Sequence, residues 1–235
     1  MSKGPSDITK RGGRTDVDRF LEKVAAMPTV RRAQARGRLL FALDATLSRQ
    51  PTWDRACQIQ AQMFAETAAL GGLEIQMAYF RGLGEFRATR WLADSGAVAR
   101  AMSGVSCRGG LTQIGRVLRL ATRETKQQPI QALVYIGDCV EEDIDGLCAL
   151  AGDLGLLGVR AFMFHEGDDP DAARLFQEVA RLTKGAYSRF DASSARQLRD
   201  LLRAVAVFAA GGYAALRDYG KSQGTPVRKL IGQLK

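Results

Sequence analysis

Apolar residues in this chain form short continuous runs that alternate with longer stretches in which apolar positions recur every three or four residues. The first pattern is typical of buried strands, and the second is typical of amphipathic helices. Strands are predicted at 38–46, 74–80, 85–92, 132–137, 159–164 and 186–190. Helices are predicted at 16–27, 52–70, 95–102, 111–125, 142–156, 170–183 and 195–210, with a continuation to 219 and a small amphipathic helix in 221–235.

The order of these elements predicts an α/β fold. Strands that alternate with helices are typical of a doubly wound, mainly parallel sheet with helices on both faces, as in Rossmann-like folds. Only a glycine turn at 82–84 separates the second and third strands, which therefore form a hairpin with one antiparallel edge strand. We expect a disordered basic N-terminus at 1–14, a helix and linker at 15–37, the α/β domain at 38–210 and a basic C-terminal tail at 211–235.

The net charge of +9 is concentrated near the two ends of the chain. Residues 1–40 contain ten basic and four acidic side chains, and residues 212–235 contain five basic and one acidic. Such tails can contact an acidic protein surface. Nucleic acid is not an expected partner, because aromatic residues are sparse in these tails and no nucleic-acid motif is visible. No apolar run is long enough to span a membrane and the N-terminus lacks the apolar segment of a secretory signal, so we expect a cytoplasmic protein.

Oxygen-bearing side chains follow two of the predicted strands. Asp44, Thr46 and Ser48 come at the end of the first strand, and Asp138 comes at the end of the fourth. Thr112 follows the glycine pair at 109–110. Because parallel strands bring their C-terminal ends to one edge, the two carboxylates are expected at the usual ligand position of this architecture. Carboxylates and hydroxyls are hard donors that suit Mg²⁺, or Mn²⁺ or Ca²⁺, better than zinc.

The pattern Asp44-x-Thr46-x-Ser48, then Thr112, then Asp138 resembles the metal-ion-dependent adhesion site (MIDAS) of von Willebrand factor A (VWA) domains. The resemblance covers most of residues 38–210. It implies that the hydroxyls ligate the ion and that the two carboxylates act directly or through water. A partner protein then supplies an Asp or Glu to the open coordination position. The resemblance is to intracellular bacterial members, which often serve as subunits or adaptors of larger assemblies and are not enzymes.

This chain departs from the usual family pattern at two positions. Thr46 stands where most members have serine, which keeps a hydroxyl at that place. Leu111 is inserted between the glycine pair and the threonine. A VWA domain that binds no metal is a further reading of the same sequence.

The main alternative is a Mg²⁺-dependent phosphatase of the haloacid-dehalogenase (HAD) type. In such an enzyme Asp44 would be the nucleophile, and Asp138 and Asp143 would hold the ion. Against this, Thr46 occupies the position of the usual second aspartate, and Lys126 lies at a predicted helix end.

The four cysteines have no C-x-x-C spacing, so a zinc site is not expected and burial as small apolar side chains is the simpler reading. Cys139 is the exception because it directly follows Asp138. Trp53, close to the predicted site, is a candidate partner anchor or a core residue.

Overall fold

The computed structural model, which describes residues 36–50, 73–190 and 195–234, contains a central six-stranded sheet. Its strands are β1 (Gly37–Asp44), β2 (Leu73–Arg81), β3 (Glu85–Ala88), β4 (Ala132–Gly137), β5 (Arg160–Glu166) and β6 (Ala186–Phe190). Their order is β3-β2-β1-β4-β5-β6, and every neighbouring pair is parallel except β2 and β3. The predicted doubly wound sheet with one antiparallel edge strand is confirmed.

Helices cover both faces of this sheet in the described part of the chain. They are α1 (Ser95–Ser103), α2 (Ile114–Gln127), α3 (Ile144–Leu156), α4 (Pro170–Leu182), α5 (Ala195–Gly220) and α6 (Thr225–Gln233), with a 3₁₀ turn at Leu47–Arg49. Buried residues of α1, α5 and α6 form the core on one face, and those of α2, α3 and α4 form the core on the other. No helix among the described residues is both long enough and apolar enough to cross a membrane.

The central strand β1 explains why the sheet is buried on both faces. Leu39, Phe41 and Leu43 pack into one core, whereas Leu40 and Ala42 pack into the other. A strand between two helical layers therefore reads as a continuous apolar run and not as an alternating one. This pairing also fixes the edge at which β1 and β4 end, since both strands run in the same direction.

Two predicted helices begin later than the sequence pattern indicates. The helix α2 starts at Ile114 because the Glu142 carboxylate accepts the backbone N–H groups of Ile114 and Gly115. The Glu142 side chain therefore caps α2, although Glu142 comes just before α3 in the sequence. The helix α3 instead begins after Asp143, whose carboxylate accepts the N–H of Gly146 at 2.9 Å.

The hairpin strand β3 ends four residues earlier than predicted. The regular ladder stops at Ala88, and Leu92 pairs separately with Ile75 through two 2.8 Å backbone hydrogen bonds. The two pairings differ in register by one residue, as in a β-bulge.

The C-terminal segment belongs to the same compact unit as the sheet, residues 36–235. Gly212 has a φ of 71° and interrupts α5, so that the chain turns before it reaches α6. Val227, Leu230 and Leu234 are buried in the core, although the net charge of 211–235 predicts a basic tail. The predictions for 1–14, for the helices at 16–27 and 52–70, and for Trp53 lie outside the described residues.

Candidate metal site

The two predicted carboxylates lie together at the C-terminal edge of the sheet. Asp44 ends β1, and Asp138 directly follows β4, which pairs with β1. Cys139 joins them, and one potential ligand atom from each of the three residues lies within 4.8 Å of the other two. The fold therefore brings together residues that are 94 positions apart in the chain.

Each of the two carboxylates has one oxygen that accepts no hydrogen bond from the described residues. Asp44 is fully buried, and its Oδ1 accepts the backbone N–H of Thr46 at 2.8 Å. Asp44 Oδ2 and Asp138 Oδ1 are buried as well, and neither has a hydrogen-bond partner among the described residues. A buried anionic oxygen without a donor is costly, and a cation bound there would remove the cost. The donor set therefore fits a hard divalent cation.

The hydroxyls of the first motif face each other. Thr46 Oγ1 and Ser48 Oγ are 3.1 Å apart, with Thr46 buried and Ser48 exposed. The backbone of Arg108 pairs with the segment that carries these hydroxyls, since its backbone N–H donates to the Ala45 carbonyl at 3.0 Å. The structure thus brings both hydroxyls next to Asp44, with one of them open to an incoming group.

Thr112 is joined to the loop that begins at Asp138. Its backbone N–H donates to Glu141 Oε2 at 2.8 Å, and its hydroxyl accepts the N–H of Glu141 at 3.0 Å. Thr112 is buried at this point. Of the five predicted ligands, the structure therefore brings Asp44, Thr46, Ser48 and Asp138 to the edge directly and ties Thr112 to the Asp138 loop.

The cluster disfavours its own negative charge. Burial raises the pKa of Asp44 to about 6, and the Asp138 carboxylate adds to the rise against the opposing effects of Thr46 and Arg49. Burial and the carboxylates of Asp138 and Asp44 also raise the pKa of the Cys139 thiol. A site with these properties takes up a positive charge readily.

Arg49 is a buried residue next to the candidate site that the sequence analysis does not identify. It is almost fully buried, and its Nη2 lies 2.6 Å from Glu166 Oε2 at the end of β5. Its Nη1 donates to the carbonyls of Asp44 at 3.2 Å and Ile136 at 3.4 Å. Arg49 therefore links the ends of β1, β4 and β5. Nothing in the sequence marks Arg49 as buried, because an arginine that follows a strand is normally expected to be exposed.

Tyr135 and His165 complete the surroundings of the site. Tyr135 OH is buried without a described hydrogen-bond partner, and burial raises the pKa of the phenol. His165 is buried, with Nε2 at 3.3 Å from the Asp138 carbonyl and Nδ1 at 3.1 Å from Tyr187 OH. Burial lowers the pKa of this imidazole. The ring therefore holds the backbone of the Asp138 loop as a neutral group.

No family profile and no curated protein matches the sequence. Solved structures match it in three dimensions. A von Willebrand factor type A protein from Catenulispora acidiphila is 18% identical, with a TM-score of 0.60, over 72% of this chain and 42% of that one. This chain thus spans less than half of that protein.

Two further structures are matched over nearly their whole length. The SpRpn10 VWA domain is 13% identical, with a TM-score of 0.57, over 70% of this chain and 95% of that one. An aerotolerance-related membrane protein from Bacteroides fragilis is 19% identical, with a TM-score of 0.54, over 71% of this chain and 98% of that one. Taken with the strand order and helical layers, these matches establish that the chain has the von Willebrand factor A fold.

Proposed function

We propose that this protein is a metal-dependent protein–protein interaction module. In this proposal Mg²⁺, or Mn²⁺ or Ca²⁺, is held by Asp44, Thr46, Ser48, Thr112 and Asp138. The observation that carries it is the pair of buried carboxylate oxygens, Asp44 Oδ2 and Asp138 Oδ1, which have no donor in the described structure. They lie beside two facing hydroxyls, so every predicted ligand at this edge is a hard oxygen.

The recognition step follows from the chemistry of the edge. When bound, the cation supplies an electrophilic position that a carboxylate of a partner can fill. The N–H of Thr46 keeps the Asp44 carboxylate oriented, and Arg49 keeps the ends of the strands together. Ser48 is exposed, so a partner's Asp or Glu has access to the site.

Exposed leucines around this edge favour a protein partner over a small anion. Leu47 precedes Ser48, and Leu111 precedes Thr112, and both side chains are 57% exposed. Leu83 is 95% exposed in the turn after β2, next to the loop that carries Gly110. Apolar side chains around a charged centre are typical of an interface whose anchor is polar.

The larger role proposed here is that of a subunit or adaptor of an intracellular assembly, and not of an enzyme. The basic residues of the C-terminal segment, including the exposed Arg228 and Lys229, would add electrostatic attraction to an acidic partner surface. The fold supports this reading because VWA domains generally mediate protein interactions.

The phosphatase alternative is not favoured. Such an enzyme needs a cation near the phosphate to offset its charge, and Lys126 was the candidate in the sequence. Lys126 lies in the last turn of α2, whose first residue Ile114 is close to the site. Lys126 is twelve positions beyond Ile114 along the helix, which is a distance of roughly 18 Å. An adhesion-type site should therefore fail to turn over an aryl phosphate in Mg²⁺.

The test is an affinity pull-down from the native host's lysate, run in Mg²⁺ and in EDTA. Wild type should retain a protein only in Mg²⁺, and Asp138→Ala should retain none. Leu111→Ala should weaken the capture, whereas Leu156→Ala should not. Leu156 is a matched control because it is 90% exposed at the far end of α3.

Proteins that bind equally in Mg²⁺, in EDTA and to Asp138→Ala would contradict the proposal. That result would favour a VWA domain that works without metal. Hydrolysis of an aryl phosphate by wild type, and not by Asp44→Asn, would favour the phosphatase instead.

A further inference from the structure

We propose that Cys139 is an additional ligand of the cation site and makes it bind Zn²⁺ and other thiolate-preferring divalent metals more tightly than Mg²⁺. This inference rests on the proposed cation site at Asp44 and Asp138. It goes beyond the oxygen-only ligand set that the sequence motif indicates.

The Cys139 sulfur lies close to both carboxylates. A potential ligand atom from each of Asp44, Asp138 and Cys139 lies within 4.8 Å of those of the other two. Ligand atoms on one tetrahedral zinc ion are about 3.5 Å apart, given Zn–S near 2.3 Å and Zn–O near 2.1 Å. Small side-chain rotations would bring the three groups to that spacing.

The Asp44 carboxylate is a second member of this cluster. Asp44 is fully buried, and its Oδ2 has no hydrogen-bond partner in the described parts of the chain. An unpartnered buried oxygen within reach of a thiol is the arrangement that a mixed oxygen–sulfur metal site requires. Burial alone does not account for it.

The surroundings of Cys139 differ from those of an ordinary buried cysteine. A structural cysteine packs as a small apolar side chain. The Cys139 thiol instead lies within 4.8 Å of potential ligand oxygens of Asp44 and Asp138. Cys148 provides the contrast, because it is also free and half-buried but packs against the core through α3.

Binding replaces one bond by another without any redox change. The S–H bond of Cys139 breaks, its proton goes to solvent, and the thiolate forms a bond to the metal. With Asp44, Asp138 and Cys139 as the three ligands of a zinc ion, the fourth tetrahedral position would stay open, so a partner carboxylate could still complete the shell. Thiolate is a soft donor, and it shifts the preference from Mg²⁺ towards Zn²⁺ and Co²⁺.

The experiment titrates the metal-free, reduced full chain with Co²⁺ and records the near-ultraviolet thiolate-to-cobalt charge-transfer band. Wild type and the matched control Cys148→Ser should give this band with one ion per chain. Cys139→Ser should lose the charge-transfer band. It should also bind Zn²⁺ at least tenfold more weakly in a competition assay, because loss of even an outer-shell partner of a metal ligand weakens binding by about tenfold or more. Calorimetry should give the same Mg²⁺ affinity for Cys139→Ser and wild type, which also establishes that the variant is folded.

The outcomes separate this inference from the proposed function. If Mg²⁺ binds wild type but Co²⁺ produces no thiolate band, Cys139 is not a ligand and the Mg²⁺ proposal stands. If the band forms but Mg²⁺ does not bind, the Mg²⁺ proposal fails and the Cys139 ligand stands. A band that persists in Cys139→Ser assigns the metal to another cysteine and overturns the inference.

Discussion

Replacing Asp44 with asparagine tests whether the site holds unfavourable negative charge when metal is absent. The carboxylate is fully buried and its pKa is raised from 3.8 to about 6. A shift of this size corresponds to about 3 kcal/mol of stability that the ionised group removes from the folded state. Asn is isosteric and keeps the acceptor for Thr46, and it places a neutral amide beside Asp138 in place of a carboxylate.

The sign of the pH dependence follows from the raised pKa. Below the unfolded pKa of 3.8 the carboxyl group is neutral in both states, and its contribution to stability is fully present. As the pH rises through the folded pKa of about 6, that contribution is lost. In EDTA at neutral pH, Asp44→Asn should therefore raise the free energy of unfolding by about 1–3 kcal/mol, and near the unfolded pKa it should have little effect.

Urea unfolding at the two pH values, with EDTA or Mg²⁺, is the assay. Mg²⁺ at about 100 times its Kd should stabilise wild type by about 2.7 kcal/mol and leave Asp44→Asn unchanged. The control Asp153→Asn removes an exposed carboxylate of α3 and should stay within about 0.5 kcal/mol of wild type. Destabilisation by Asp44→Asn in EDTA, equal at both pH values, would contradict a charge penalty at this site.

Three further predictions concern the scaffold around the site and are tested by urea unfolding, with Gly109→Ala as a control. Arg49→Ala should cost about 3–5 kcal/mol because it leaves the Glu166 carboxylate buried and unpaired, and a loss below about 1 kcal/mol would contradict that role. Gly110→Ala should cost about 1–3 kcal/mol, since a Cβ there would lie 1.9 Å from a facing backbone oxygen. Gly109→Ala, with no described atom within 4 Å of its Cβ, should be near neutral, and equal effects at the two glycines would contradict the close approach. Glu142→Ala should cost about 1 kcal/mol by uncapping α2, and no change would indicate that the cap is dispensable.

The fold could be predicted from the sequence because each strand that is buried on both faces consists of a continuous run of apolar residues. The alternation of strands and helices then leaves few topologies open. Helix boundaries differ from the prediction where a side-chain contact overrides the local pattern of apolar residues. Glu142 caps a helix 27 positions away, and no local rule predicts that contact.

The surroundings of the candidate site were predicted less completely. Aspartates at strand ends are visible in the sequence, and so is the position of Cys139. The buried pair of Arg49 and Glu166 spans 117 residues, and its existence depends on the sheet order. That Asp44, Thr46, Ser48, Thr112 and Asp138 bind a metal stays a prediction.

Burial of the C-terminal segment also shows the limit of charge as a guide. The residues from 211 onward are basic on average, which predicts a tail. Val227, Leu230 and Leu234 nevertheless occur at helical spacing, and this apolar face packs on the core. Periodicity was therefore more informative than net charge, since burial depends on one face of a helix.

Electron paramagnetic resonance can show directly whether the site binds Mn²⁺, because free and bound Mn²⁺ give different signals. We expect one bound ion per wild-type chain, displaced by Mg²⁺, and loss of that binding in both Asp138→Asn and Thr112→Val. Thr112→Val keeps the backbone contact to Glu141 while it removes the hydroxyl. Absence of bound Mn²⁺ in wild type, or binding that survives in Asp138→Asn, would contradict the proposed metal site.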